Sequence, residues 1–394
     1  MERTAVVVGG GIGGLAVAVA LRARRWRVRV LERAPGVDEV GAGISLWPNA
    51  MRALRVIGLD ELVRDVGVVE SGGGVRDRDG RWLSRVDNAE LVRRHGHPLV
   101  VSHRRDLVRV LADALPDGVV MPGCRVVDVH NGDRRVVVDY VAEHRGVEDS
   151  VEADVVIGAD GVRSTVRGLC LPNAPEPRYT GHTAWRVVTD PLDEPLESAA
   201  VVWGRGARFG YTALPGNRVY CFAAASFDEP QGAVVGRPLD RFARWPDPIP
   251  RLLDAAPPTR VVQHDIYDLP PLRSFTQGRM ALLGDAAHAM SPALGQGACQ
   301  ALEDAVVLAD CLDHDPVPSA LTRYDHRRRR RAQLVARRSA RLSTVSHWSG
   351  PFGARTRDAV TRALPEFVTM ASMARLLRWT PSRTWTETSQ VPDA

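Results

Sequence analysis

The stretch Thr4-Ala5-Val6-Val7-Val8-Gly9-Gly10-Gly11-Ile12-Gly13-Gly14 decides how the rest of the chain is read. Its first five residues form a β-branched run, and a buried strand is the natural reading. A glycine turn follows. Residues 15–25 are rich in Ala and Leu and read as a helix, and Arg27-Val28-Arg29-Val30-Leu31-Glu32 alternates and reads as a second strand. Strand, turn, helix and strand together have the size of a βαβ unit. The turn satisfies G-x-G-x-x-G. Gly9 permits the tight turn, Gly11 a close approach to a pyrophosphate, and Gly14 the packing of helix on strand. The pyrophosphate then rests on free N–H groups at the positive end of the helix. Glu32 closes the second strand, where a carboxylate accepts from ribose hydroxyls and repels a ribose 2′-phosphate. The motif by itself does not separate one dinucleotide from another.

The chain has 394 residues, which suits two domains or one large elaborated one. Apolar residues make up 44% and charged residues 25%, as in ordinary folded proteins. The net charge of +5 comes entirely from Arg, since the chain has no Lys. The arginines are spread over the whole length and interleaved with 47 acids, unlike the clustered footprint of a nucleic-acid binder. Five Cys, none in a CxxC pair, argue against a disulfide framework or a zinc site. A reducing compartment, and so a cytoplasmic location, is the expectation. The apolar start is interrupted by five glycines and lacks a cleavage signal, so it reads as fold rather than signal peptide. No run of about 20 apolar residues predicts a membrane span. Monomer and homodimer are both open.

Further along, residues 50–66 read as helical, 72–101 as Gly-punctuated strand and 103–115 as helix. Residues 126–138 and 151–157 read as strands. From 172 to 271 prolines, aromatics and alternating runs predict an antiparallel sheet. Residues 279–283 read as a buried strand, 297–312 and 320–345 as helices, and 385–394 as a frayed end. The class is α/β: a Rossmann-like domain with an inserted antiparallel β-sheet substrate domain and C-terminal helices. The nucleotide-binding domain is discontinuous, over 1–75, 100–175 and 275–345. The substrate domain takes 76–99 and 176–274, and a helical segment and tail fill 346–394.

Two later segments carry chemistry. Asp154-Val155-Val156-Ile157-Gly158-Ala159-Asp160-Gly161 runs from strand into a turn with Arg163 and Ser164. Asp160 can contact a ribose or cap the following helix, and Arg163 can meet a phosphate. Arg279-Met280-Ala281-Leu282-Leu283-Gly284-Asp285 ends a strand, and Pro292, Gly295, Gln296 and Gly297 precede a helix containing Glu303 and Asp304. A glycine loop before a helix presents N–H groups to negative charge.

Together with Gly41-Ala42-Gly43-Ile44 and with Arg104 in His-Arg-Arg-Asp-Leu, these segments resemble the class A flavoprotein monooxygenases, the para-hydroxybenzoate hydroxylase family, over residues 4 to about 345. The look is that of the urate hydroxylase, salicylate hydroxylase and zeaxanthin epoxidase-like branches. Cys299 stands where many members have Asn, a feature of the urate hydroxylase-like and zeaxanthin epoxidase-like branches. The resemblance implies FAD held by Gly9, Gly11, Ile12, Gly13 and Gly14, with Gly43 and Ile44 also at the cofactor. Glu32 and Arg33 approach the adenosine ribose, Arg104 the pyrophosphate or ribose, Val127 the adenine and Asp285 the ribityl chain. Pro292 leads into Gly295, Gln296, Gly297 and Ala298 under the flavin ring. Asp160 and Gly161 serve both FAD and a transient nicotinamide.

The implied activity uses NADH or NADPH and O₂ to hydroxylate an aromatic or heteroaromatic small molecule through a flavin C4a-hydroperoxide. The cofactor supplies the chemistry while the protein orients and shields it. Epoxidation of an alkene or indole-type natural product, a non-oxygenating flavoprotein reductase and a nucleotide-binding module without turnover remain open. The absence of W-x-W-x-I-P disfavours a halogenase.

Arg208 and Tyr220, on consecutive strand-like runs, are the substrate-positioning pair: Arg to hold an anionic or carbonyl-bearing ring, Tyr to orient it. Matching residues occur in the urate hydroxylases that this chain resembles. Tyr211 and Trp185 either line the same pocket or fill the sheet. His288 is read as structural, and the arginine run 327–331 as a solvated face or flank of the flavin domain. No metal constellation has convincing spacing.

Overall fold

The computed structural model describes residues 2–36, 42–143, 146–232, 238–382 and Trp385. Gly41 and the last nine residues of the tail lie outside them. The opening unit is strand Thr4–Val8, helix Ile12–Ala23 and strand Arg27–Glu32. The two strands are parallel, with Thr4 opposite Arg27 and Val8 opposite Leu31. They lie inside a six-stranded sheet ordered Thr276–Gln277, Met280–Leu282, Val155–Gly158, Thr4–Val8, Arg27–Glu32, Val120–Pro122. Val8 pairs with Gly158, and Gly158 with Leu282. The three turns singled out in the sequence therefore leave from the carboxyl ends of three neighbouring strands, where open α/β sheets bind ligands.

The helix Ile12–Ala23 is buried nearly all round, and small residues let it pack closely against the equally buried helix Gly297–His314. Full burial of side chains such as Leu15, Val17 and Leu21 contributes about 1.5–3 kcal/mol each.

A second, seven-stranded sheet runs Val262–Asp268, Arg178–Val188, Arg218–Ser226, Ala207–Leu214, Ala199–Trp203, Gly72–Arg76, Trp82–Asp87. It is antiparallel except between Ala199–Trp203 and Gly72–Arg76. Its back face, with Trp185, Phe209 and Tyr211, is closed by Phe242, Trp245, Ile249 and Leu252.

Five sequence expectations need correction. The run 72–101 contains the helix Asn88–His95, because Asp87 caps it by accepting from the Ala89 N–H at 2.8 Å and Gly96 ends it at φ 76°. Residues 50–66 form two helices, Pro48–Val56 and Asp60–Asp65, separated around Gly58 at φ 76°. The run 126–138 covers parts of two strands, Cys124–Asn131 and Val136–Ala142, and 151–157 spans the end of Val147–Ala153 and the start of Val155–Gly158. That last break falls at Asp154, whose carboxylate accepts from Thr4 N at 2.8 Å and Thr4 Oγ1 at 2.9 Å. Trp385 is not frayed: it is buried, with the Arg24 guanidinium 4.0 Å from its ring centre.

The arginine run is not simply a solvated face either. On the long helix Val317–Ser346, Arg330 is exposed but Arg328 is buried. Arg328 Nε donates to Asp304 Oδ1 and its Nη1 to Glu303 Oε2, both at 2.5 Å. Arg331 adds two bonds to Glu303, at 2.6 and 2.7 Å. Helical periodicity turns one residue of the run inward while its neighbours stay wet. Arg328→Ala leaves two buried carboxylates short of a cation and should lower the unfolding free energy by about 3–5 kcal/mol in urea titration. Arg330→Ala should change it by less than about 0.5 kcal/mol.

Candidate active site

The glycine turn is built by close approach. Gly9 sits at φ 106°, and a Cβ there would stand 2.5 Å from the Ala159 carbonyl oxygen. A Cβ on Gly14 would stand 1.9 Å from the Gly9 carbonyl oxygen. Around Gly11, by contrast, a Cβ would meet nothing within 4 Å. Gly11 is also the N-cap of its helix and offers no side chain to cap it. The tight positions hold the turn, and the open one leaves room for a ligand against helix N–H groups.

Glu32 accepts from Gly10 N at 2.5 Å and from Ala34 N at 2.7 Å. Its carboxylate thus ties the turn to the strand end and keeps lone pairs for a ribose hydroxyl. Arg33, next in the chain, is exposed. Gly123 N donates to the Ala34 carbonyl at 3.0 Å, bringing the strand Cys124–Asn131 to this end of the site, with Val127 exposed on it.

Asp160 is occupied locally. It accepts from Ser164 Oγ at 2.5 Å and from Val166 N at 3.1 Å, and burial pushes its carboxyl up. The capping alternative is thus realised in the geometry. Next to it a cleft of about 340 Å³ is lined by Arg163, Arg167, Glu176 and Tyr267, with the Arg163 guanidinium 5.7 Å from the Tyr267 ring centre.

Asp285 is exposed, one residue after Gly284 at φ 60°. Gly284 N donates to Asp304 Oδ2 at 3.1 Å, and His288 Nε2 meets the same oxygen at 2.5 Å. His288 therefore holds the turn, as its structural reading requires. Burial alone would raise the Asp304 carboxyl, but Arg328 and His288 outweigh it and hold it below the usual range.

The loop with Pro292 reaches Gly295 at φ 60°, then Gln296 and the helix start at Gly297 and Ala298. Gln296 accepts from Asn49 at 3.0 Å, and Asn49 also donates to Glu303 at 2.7 Å. Trp47 was missed in the sequence. Its Nε1 would stand 3.1 Å from a Cβ on Gly295 and is buried without a partner, as is Ser291 Oγ. Unpartnered buried donors beside a glycine loop fit a large polar ligand along this edge.

The front face of the seven-stranded sheet meets the same region. Arg208, Gly210 and Thr212 stand opposite Ala224, Phe222 and Tyr220, so all six share one face. Tyr211 and Trp185 project from the other face and fill the sheet. Tyr220 lies flat on Gly43, where a Cβ would come within 2.5 Å of its ring. Gly43 and Ile44 sit on the strand Gly43–Leu46, and Arg104 N donates to the Ala42 carbonyl at 2.8 Å. One cofactor candidate, Gly43, is thereby in contact with one substrate candidate, Tyr220. Burial raises the Tyr220 phenol, so it stays protonated as a donor.

Arg208 is only 3% exposed and, among the described residues, has no carboxylate partner. Burial lowers its guanidinium to about 10. Two imidazoles missed in the sequence lie nearby, His182 and His347, with ring centres 3.9 Å apart. Burial and then the Arg208 charge depress both, His347 to about 2, so both are neutral near pH 7.

The family described as FAD binding domain matches residues 2–218 and 269–339. Aurachin C monooxygenase/isomerase of Stigmatella aurantiaca is 37% identical over 96% of this chain and 98% of its own. The 3-amino-4-hydroxybenzoate 2-monooxygenase of Streptomyces cremeus is 35% identical over 91% of each chain. Among solved structures, Klebsiella pneumoniae HpxO complexed with FAD and uric acid superposes with a TM-score of 0.87 at 28% identity, covering 95% of this chain and 96% of that one.

If Arg208 serves a ligand rather than the fold, Arg208→Met removes an uncompensated buried cation. The melting temperature should then hold or rise, by on the order of 1 kcal/mol of stability. A fall of several degrees in calorimetry would mark Arg208 as structural.

Proposed function

Because the chain belongs to the FAD binding domain family, we propose that it is an FAD-dependent monooxygenase that hydroxylates a small aromatic or heteroaromatic molecule, with Arg208 and Tyr220 positioning that molecule. The overall change is substrate–H + O₂ + NAD(P)H + H⁺ → substrate–OH + H₂O + NAD(P)⁺. The observation that carries the positioning roles is the front face itself, where the unpaired Arg208 shares a face with Tyr220, and Tyr220 touches Gly43.

FAD, when bound, supplies hydride acceptance and oxygen activation. The chain's own residues do the rest. The open backbone at Gly11 and the uncapped helix start receive the pyrophosphate, and Glu32 accepts from the adenosine ribose. Asp285 would accept from ribityl hydroxyls, and the helix N–H groups at Gly297 and Ala298, with Trp47 Nε1, would stabilise negative charge on a reduced ring held at this loop. Arg208 neutralises an acidic oxygen of the substrate in a setting with little competing water, where the attraction is strongest. Tyr220 donates from its protonated phenol and sets the ring's tilt. The cleft with Arg163 and Tyr267 offers a cation and an aromatic face to a visiting nicotinamide dinucleotide.

No helix among the described residues is long and apolar enough to cross a membrane.

A screen of aromatic acids, purines, indoles and quinolones tests the reading. At least one compound should accelerate NAD(P)H oxidation and gain one ¹⁸O atom from ¹⁸O₂. Arg208→Met should lower kcat/KM for it by roughly 10²–10³-fold with flavin content unchanged, since a charged hydrogen bond and its orientation are lost. A flavin-replete protein that oxidises NAD(P)H but never oxygenates any ligand it binds contradicts the proposal.

A further inference from the structure

The imidazole beside Arg208 has a determined protonation pattern. His347 Nδ1 lies 2.8 Å from the Ser343 carbonyl oxygen, which can only accept. Nδ1 therefore carries the hydrogen, and in the neutral ring Nε2 is left as an acceptor. That Nε2 is buried and has no hydrogen-bond partner, in a side chain only 6% exposed. The Arg208 Nε donor is equally buried and equally unpartnered.

Both belong to one cluster. His182 stands opposite Ser226, in register with the Arg208 face, and His347 packs against His182 with the ring planes tilted by 54°. His347 is delivered from the end of the long helix Val317–Ser346. Its position is fixed by the turn next to Arg208: Gly206 N donates to the Trp348 carbonyl at 3.3 Å, and Arg357 Nη1 donates to both Gly204 O at 3.1 Å and Ser346 O at 3.0 Å. A buried donor and a buried acceptor left unpaired cost about 1–3 kcal/mol each. A ligand that is an acceptor at one atom and a donor at another satisfies both at once.

We propose that His347 is a substrate-reading residue: paired with Arg208, it selects aromatic anions that also carry a hydroxyl or N–H donor, which His347 Nε2 accepts. The inference rests on the monooxygenase reading of the site and deepens it by assigning the residue that reads the substrate's donor group. Selection of this kind is strong when a partner is missing, because the analogue without the donor leaves Nε2 buried and unpaired.

The test uses FAD-loaded full-length protein and four probes: benzoate and 2-, 3- and 4-hydroxybenzoate, with dissociation constants from quenching of flavin fluorescence. In the unaltered protein at least one hydroxybenzoate should bind roughly tenfold more tightly than benzoate. In His347→Phe that gain should vanish while benzoate affinity stays within about twofold, and His347→Gln, which keeps an acceptor, should restore part of it. Equal binding of all four probes by the unaltered protein overturns the proposal without any variant. So does a hydroxyl gain that survives in His347→Phe. If none of the four binds while another aromatic compound is still hydroxylated, this inference fails and the monooxygenase reading stands; if nothing is oxygenated, the reading itself fails.

Discussion

Glu303 and Asp304 are adjacent carboxylates with no solvent exposure, and their pairing with Arg328 is the interaction on which the flavin side of this protein depends. Each carboxylate of the pair holds a different part of the site. Asp304 fixes the Gly284 turn and His288, while Glu303 fixes Asn49 and, through it, Gln296 at the loop before Gly297. Tyr324, four residues before Arg328, donates to the Leu282 carbonyl at 2.9 Å, at the end of the strand that feeds the turn. Burial works against the Arg328 cation, but the two carboxylates more than reverse it. Such a network stabilises little by itself, because desolvation offsets most of the attraction. Its value is geometric: two loops and two long helices are locked to one another, so the surface offered to a cofactor is preorganised.

The substrate side obeys the opposite electrostatic rule. Arg208 is buried like Arg328 but among the described residues has no carboxylate partner, and the imidazoles beside it are kept neutral by burial and by its charge. A cation left in this state lowers stability in the free protein and raises affinity for an anion that replaces its lost hydration. One fold thus contains a satisfied buried cation, Arg328, that builds the cofactor side and an unsatisfied one, Arg208, on the face proposed to receive substrate. Glu70 accepts from Thr212 on that sheet face, and burial raises its carboxyl.

How much was legible follows from the range of each interaction. The turns at Gly9, Asp160 and Gly284 are local, and the strand before Gly9 was read correctly because a β-branched run before glycine has few other outcomes, whereas the run before Asp160 was read as one strand where two meet at Asp154. The separation of Tyr211 from Arg208 follows from odd and even positions on one strand, but placing Trp185 needed the register of a partner strand. Arg328 was hidden because five consecutive arginines contain no periodicity, and only the phase of the helix chooses the inward one. Trp47 stood next to the noted Gly43 and Ile44, and its proximity to Gly295 was a tertiary fact. His347 comes from the far end of a 30-residue helix, and nothing near it in sequence points to Arg208. The helix Asn88–His95 was misread because its Asp87 and Gly96 caps are also turn residues.

The central claim is that an aromatic substrate lies on the sheet face shared by Arg208 and Tyr220, next to the loop at Gly295. A crystal structure of the protein with FAD and a bound aromatic acid tests it most directly. The account predicts the ring on that face, with an acidic or carbonyl oxygen within hydrogen-bond distance of Arg208 and the flavin on the turns at Gly11 and Gly297. A ring bound elsewhere, with Arg208 still unpaired, would contradict it.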